Sequence, residues 1–185
     1  MINRIDPNFK YLSQRDVRWG KVKIGNSQID VAHYGCLLTC ISMASYLFGE
    51  YKTPDVIAKK SELFTSDGSL LWINLGKLFT KFQFRWRDGS IFDGKPVRND
   101  KMIKAYLPGG KRAGDGVVIL AVANNSHWIL PLWWDNIKAD YLCVDPWTGS
   151  TCYALERYKE ISTSAYLLKT GVMKDRLEPK EPEYK

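Results

Sequence analysis

The sequence predicts an α+β fold in which helices come first and a mostly antiparallel sheet follows. Residues 36–48 are apolar nearly all round, as in a buried helix. Apolar and polar residues alternate just after residue 80, and short apolar runs separated by turn residues continue to residue 169. Such runs, joined by short turns, pair antiparallel, so we expect one sheet packed against the buried helix.

The first half of the chain carries most of the predicted helices. Residues 1–30 show no sustained period and are predicted to be extended or looped. The buried helix opens at Gly35-Cys36 and is ended by Gly49. Two further helices are predicted, one from an N-cap threonine before a proline and one from a capping serine: 53–64 and 69–78.

The second half carries the predicted strands. Phe82, Phe84 and Trp86 alternate with Gln83, Arg85 and Arg87, which predicts a strand with one polar face. A short helix is expected at 100–107. Five more strands are predicted, each bounded by turn residues: 116–123, 127–132, 141–145, 152–155 and 164–169.

The 185 residues, 45% hydrophobic and 25% charged, suit one globular domain, which we place at 1–172. Residues 173–185 are rich in charge and proline and are predicted to be a flexible charged tail. No apolar run approaches the roughly 18 residues of a membrane-spanning helix, and the start has no secretory pattern. We therefore expect a cytoplasmic or virion-associated protein, or one released by a non-classical route.

The net charge of +7 comes from one segment. Residues 77–112 hold ten basic and three acidic residues, so the rest of the chain sums to zero. Such a segment suits an anionic polymer, nucleic acid or an acidic partner, and it is equally typical of a solvated surface. The sequence does not indicate an oligomeric state.

The chemistry points to cysteine and histidine, because motifs for phosphate loops, dinucleotide binding, HExxH zinc proteases and GxSxG hydrolases do not occur. Cys36 opens the buried helix, where backbone N–H groups and the helix dipole favour a thiolate. The alternative is simple packing, which is our interpretation of Cys40 one turn later. A metal site drawn from the cysteines and His33 is not favoured, since paired CxxC spacing does not occur.

The general base is expected to be His127 rather than His33, whose place three residues before Cys36 carries its ring away from the thiol. The span from His127 to Asp145 has its midpoint at Asn136. If residues 133–138 form a hairpin loop, His127 and Asp145 lie directly opposite each other on paired strands, and the carboxylate orients the imidazole. The alternative for Asp145 is a turn residue that only closes a strand.

Gln14, in the loop region before the helix, is a candidate donor to an oxyanion beside the Cys36 N–H, or else a solvated loop glutamine. A thiol, an imidazole, a carboxylate and such a donor are the components of acyl transfer.

Four separated motifs resemble the peptidase C39-like family of papain-like cysteine proteases. They stand in order over residues 11–170: Ser13-Gln14-Arg15-Asp16 with Arg18-Trp19-Gly20, Tyr34-Gly35-Cys36-Leu37-Leu38-Thr39, His127-Trp128, and Asp145-Pro146-Trp147-Thr148-Gly149. The resemblance implies a papain-like fold with Cys36 as nucleophile, His127 as base, Asp145 as orienting group and Gln14 as oxyanion donor. It implies no cofactor and no metal.

The resemblance also implies a function, a thiol-dependent hydrolase acting on peptide bonds. Free-standing domains of this family occur in envelope-associated and bacteriophage proteins, where peptidoglycan stem peptides are plausible substrates. The basic segment 77–112 suits an anionic wall polymer. The alternative is a catalytically silent module of the same family that binds peptide or serves as a structural or virion component.

Overall fold

The structure is a computed structural model that describes residues 8–88, 91–92, 95–96 and 99–172, with backbone alone for the two short stretches 91–92 and 95–96. The expected tail at 173–185 lies outside the described residues. The fold combines five α-helices with one large antiparallel sheet within the described part. The α+β prediction with a mostly antiparallel sheet is therefore confirmed at this level.

The large sheet has six strands, each antiparallel to its neighbours. Their spatial order is β1 (Phe82–Asp88), β8 (Thr163–Lys169), β4 (Gly116–Val122), β5 (His127–Asp135), β6 (Asp140–Asp145) and β7 (Ser150–Tyr153). Two two-residue strands, β2 (Ile91–Phe92) and β3 (Lys95–Pro96), form a separate pair. The last of the described strands, β8, thus lies inside the sheet, between β1 and β4.

The helices lie on both sides of this sheet. They are α1 (Val31–Tyr34), α2 (Cys36–Leu47), α3 (Pro54–Ala58), α4 (Asp100–Tyr106) and α5 (Ala154–Tyr158), with 3₁₀ segments at Ser61–Leu63 and Trp72–Lys77. One hydrophobic core forms beneath α2 and α3, and a second forms beneath α4 and α5. The described part of the chain contains no helix with the length and apolar character needed to cross a membrane.

The buried helix is confirmed, while its two successors are shorter than predicted. α2 begins at Cys36, and Gly49, with φ +69°, lies just beyond its end. α3 stops at Ala58, and Lys60 then leaves helical geometry with ψ 85°. The expected helix at 69–78 is only the 3₁₀ segment Trp72–Lys77, which includes Gly76, a residue that weakens α-helices.

A β-bulge in β1 changes which side chains share a face. Phe84 and Trp86 pair with neighbouring residues of β8, so Arg85 is the extra residue. The prediction that Phe84 and Trp86 face the same way is therefore wrong. Trp86 stacks on Tyr166 in the second core, with 4.8 Å between ring centroids. Arg87 lies on the same face as Phe84, the face that α2 and α3 cover.

The β5–β6 hairpin also differs in register from the prediction. The loop is residues 136–139, because Asp135 pairs with Asp140, and Trp133 and Trp134 belong to β5. Leu130 pairs with Val144, so the same register carried one residue further would place Asp145 opposite Ile129. His127 and Asp145 are thus two positions out of direct opposition. The bulge between Pro131 and Trp133 reduces this offset from three positions to two.

Candidate active site

Cys36 is the first residue of α2, where the N–H groups of the first turn have no partner within the helix. Its residue exposure is 9%, and it lines an open cleft. Gly35 precedes it and packs so tightly against α1 that a Cβ there would lie 2.6 Å from Val31 Cγ1 and against the Val31 carbonyl oxygen. The close approach of these two helices therefore requires glycine and fixes where α2 begins.

His127, the first residue of β5, contacts both of its predicted partners. Its Nε2 lies 2.8 Å from Asp145 Oδ1, and its side chain is also hydrogen-bonded to Cys36. Because Nε2 faces the carboxylate, Nδ1 is the ring nitrogen left for the thiol. Burial lowers the pKa of His127, but the bonds to Asp145 and Cys36 outweigh burial and raise this pKa to about 9. The imidazole is therefore protonated at neutral pH.

Asp145 is fully buried and accepts hydrogen bonds at both oxygens. Oδ1 accepts from His127 and from the N–H of Trp147 at 2.9 Å, while Oδ2 accepts from the Tyr158 hydroxyl at 2.6 Å and lies 3.3 Å from Arg157 Nε. Burial raises the pKa of Asp145, but the bonds from His127, Tyr158 and Trp147 outweigh burial and hold this pKa below its ordinary value. The carboxylate stays ionised although it is buried.

The turn after Asp145 also has the purely local role that the sequence left open. The N–H of Gly149 donates to the Asp145 carbonyl at 2.8 Å, and Gly149 has a φ of +72°. A Cβ on Gly149 would lie 3.0 Å from the Cβ of Ser13. Asp145 therefore orients His127 and closes the turn that packs on the loop before the helices.

Tyr158 and Arg157 are the site residues that sequence reasoning missed. Both belong to α5, and the Tyr158 ring packs near His127 with 5.6 Å between centroids. A strand was predicted over 152–155, where β7 ends and α5 begins. No periodic pattern in this segment indicates a helix of only five residues, so the sequence carries no signal for these two contacts.

Gln14 is buried and is hydrogen-bonded to the segment before Cys36 and to the segment after Asp145. Its backbone N–H donates to the Pro146 carbonyl at 2.7 Å, and its Nε2 donates to the Ala32 carbonyl at 2.9 Å. The bond to Ala32 fixes the orientation of the amide, and Oε1 has no partner among the described residues. One hydrogen of the amide nitrogen is used by Ala32, so its second hydrogen is free for an acceptor. Among the described residues, no hydrogen bond joins Gln14 directly to Cys36.

The remaining cysteines and the second histidine lie away from this arrangement. The side chain of His33 is 71% exposed and pairs with Asp30 at 2.7 Å. Cys40 is fully buried, and its thiol lies 3.5 Å from the Trp128 carbonyl oxygen, so its interpretation as core is confirmed. Cys143 and Cys152 face each other across β6 and β7. Across the described residues, no group of three or more metal-ligating side chains comes together.

The described basic side chains of segment 77–112 lie in different surroundings. Arg87 lines the cleft, the Lys104 ammonium lies 3.4 Å from the ring centroid of Trp134, and Arg112 pairs with Asp115 at 3.5 Å. An anionic-polymer partner for the whole segment stays a prediction.

The cleft at Cys36 encloses about 770 Å³ between α2, the 64–72 segment and the sheet. Its walls are mainly apolar, with Arg87 and Asp67 as the charged residues among those that line it. A volume of this size suits a few side chains of an extended ligand. Comparisons of the chain with protein-family models, with curated proteins and with solved structures find no match.

Proposed function

We propose that this protein is a cysteine peptidase or amidase that hydrolyses peptide bonds by thiolate acyl transfer, with the papain-like arrangement that its resemblance to the peptidase C39-like family implies. One observation carries the proposal: His127 is hydrogen-bonded to Asp145 on one side and to Cys36 on the other, at the start of α2. A thiol, an imidazole and a buried carboxylate in this sequence of contacts are the components of a catalytic triad.

In the proposed reaction, the Cys36 thiolate attacks the carbonyl carbon of the peptide bond and forms a tetrahedral intermediate. Protonated His127 gives its proton to the leaving amine, the C–N bond breaks, and a thioester remains. Neutral His127 then takes a proton from water, and the resulting hydroxide attacks the thioester. The carboxylic acid product leaves, and the thiolate and imidazolium are regenerated together.

The negative oxygen of the intermediate needs donors. The Cys36 N–H supplies one at the start of α2, and the free amide hydrogen of Gln14 supplies the second. Gln14 is well placed for this role because Ala32 and Pro146, its hydrogen-bond acceptors, lie near Cys36 and Asp145 in the chain.

As substrate we propose peptides of the bacterial cell wall, in an envelope- or phage-associated setting. The open, mainly apolar cleft with a basic side chain in its wall supports a short peptide that carries negative charge. Incubation of the protein with peptidoglycan and with a peptide library, beside the Cys36→Ala variant, tests the proposal. We expect the protein with Cys36 to release cleavage products and the Cys36→Ala variant to release none. A folded natural chain that cleaves neither would instead support the catalytically silent module.

A further inference from the structure

Arg87 stands in the wall of the cleft that contains Cys36. Its guanidinium carbon lies 5.2 Å from the ring centroid of Trp128 and 6.0 Å from that of Trp72. Trp128 directly follows His127 in β5. The bulge at Arg85 brings Arg87 to this face, since an unbroken alternation would have pointed it away. A positive charge is thus held on two indole rings close to the proposed base.

The Arg87 guanidinium has no acidic partner and donates no side-chain hydrogen bond among the described residues. Burial alone lowers the pKa of Arg87 from its ordinary value, with no contribution from a neighbouring charge. An arginine side chain is not deprotonated in proteins, so the charge remains. Indole rings attract the cation but offer no acceptor oxygen. The N–H donors of Arg87 are therefore available to a ligand.

Asp67, the other charged residue lining the cleft, is already engaged. It accepts hydrogen bonds from the Thr65 hydroxyl and from the N–H of Ser69. Hydrogen bonds from Thr65 and Ser69 hold the pKa of Asp67 below its ordinary value. Asp67 has no effect on the pKa of Arg87. Among the described residues that line it, the cleft therefore offers one unneutralised positive group.

A carboxylate is the ligand group that best matches an arginine held in this way. Its two oxygens accept two parallel N–H bonds from the planar guanidinium, and such bonds are stronger than those between neutral groups. Aromatic rings beneath the guanidinium restrict its orientation and reduce its hydration, which strengthens the pairing further.

We propose that Arg87 binds a carboxylate of the substrate peptide, so that this protein selects peptides carrying an acidic side chain or a free C terminus in the cleft beside Cys36. This inference rests on the proposed peptidase function and narrows its substrate class. Arg87 is a specificity-determining residue in this scheme and takes no part in bond cleavage.

Four N-acetylated tripeptides test the proposal by calorimetric titration into the Cys36→Ala variant, in which turnover cannot occur. They are Ala-Glu-Ala and Ala-Gln-Ala, each with a free and with an amidated C terminus. At least one carboxylate form should bind about tenfold more tightly than amidated Ala-Gln-Ala, as expected for a charge-assisted pair. Preference for the Glu side chain or for the free terminus identifies which carboxylate Arg87 takes.

Matched substitutions in the same background separate a specific site from general charge attraction. Arg87→Gln should abolish the preference, and Arg87→Lys should retain part of it, because lysine keeps the charge without the planar fork. Arg85 carries an equal charge two residues away and is not among the residues that line the cleft. Arg85→Gln should therefore preserve the preference for carboxylate peptides. Three results would overturn the proposal. They are an equal loss of carboxylate preference in Arg85→Gln and Arg87→Gln, equal binding of all four peptides, and no binding at millimolar concentration.

The titration does not depend on catalysis, so the two proposals can fail separately. Cleavage of peptides by the natural chain without any acid preference would leave the peptidase proposal standing and remove this one. Acid-selective binding without cleavage by the natural chain would remove the peptidase proposal and keep Arg87 as the carboxylate-binding group of a peptide-binding module.

Discussion

The hydroxyl of Tyr158 lies 2.6 Å from Oδ2 of Asp145, the oxygen that does not face His127. A buried carboxylate with one oxygen unsatisfied would be costly. Tyr158 satisfies that oxygen from α5 and packs its ring near the imidazole. It therefore acts on the proposed nucleophile through two intermediaries, Asp145 and His127, and is a positioning residue.

Replacement of Tyr158 by phenylalanine should weaken the site while keeping the ring. We expect the free energy of unfolding to fall by about 1–2 kcal/mol, because the buried Oδ2 of Asp145 loses its short hydrogen bond and keeps only the longer contact with Arg157. Alkylation of Cys36 by iodoacetamide should slow severalfold at pH 7, since Asp145 no longer holds His127 firmly. Urea denaturation and mass-spectrometric labelling measure the two effects.

Tyr153→Phe is the matched control for this change. Tyr153 donates its hydroxyl to Asp135 over 2.7 Å, also between a tyrosine and an aspartate, but at the far end of the β5–β6 hairpin. Its removal should leave the Cys36 alkylation rate unchanged. An equal decrease of the Cys36 alkylation rate in both variants would mean that Tyr158 does not position the thiol through Asp145 and His127.

Selective alkylation of Cys36 is the second expected outcome. Burial raises the pKa of Cys40 and Cys143 far above the ordinary value and that of Cys152 to about 11, so these thiols stay protonated and unreactive at pH 7. Cys36 instead lines the cleft and is hydrogen-bonded to protonated His127. Brief labelling followed by peptide mapping should find the label at Cys36, and comparable label at Cys152 would contradict the proposed role.

The pH dependence of stability follows from His127. Its pKa is raised in the folded protein to about 9 from an ordinary 6.5, so the protonated form favours folding. This stabilisation is fully present below about pH 6.5 and is lost as the pH rises through about 9. The stability difference between the natural chain and His127→Gln should therefore shrink over that range, by roughly 1–3 kcal/mol.

Urea denaturation of both proteins in reducing buffer at several pH values from 6 to 10 measures this difference. The Cys36→Ala variant provides a control, because loss of the Cys36 hydrogen bond should move the decline to lower pH. A difference that stays constant with pH would show that His127 gains no proton affinity on folding.

Gly35→Ala should disrupt the start of α2. The added methyl would overlap Val31, and the backbone carbonyl there cannot move without displacing α1. We expect a loss of more than about 2 kcal/mol in unfolding free energy and slower labelling of Cys36. Gly114→Ala is the control, because open space surrounds that position and its stability should change little. Equal stability of the two variants would contradict the packing argument.

The residues brought together at the site could be predicted from sequence because their signals are local. Cys36 follows a glycine at the start of an apolar run, and His127 and Asp145 begin and end neighbouring apolar runs. The exact strand pairing could not be predicted, since a single inserted residue in β1 or β5 leaves the local pattern almost unchanged. His127 and Asp145 still meet because a shift of two positions keeps both side chains on the same face.

The contacts that complete the site come from places where the sequence has no period. Gln14 lies in a loop that one backbone hydrogen bond joins to Pro146, and Tyr158 lies on a helix too short to show amphipathic spacing. The location of Arg87 in the cleft depends on the bulge. These features depend on long-range packing, which one sequence does not display.

The position of β8 inside the sheet has a consequence for the protein while it is being made. β1 has no other neighbour in the six-stranded sheet, and β8 is the last of the described strands to leave the ribosome. Until residue 169 has been synthesised, β1 has no strand to pair with, and the wall that presents Arg87 cannot form. The wall that presents Arg87 is therefore completed after the strands that carry His127 and Asp145 have been made, so its assembly is the later step in the formation of the cleft.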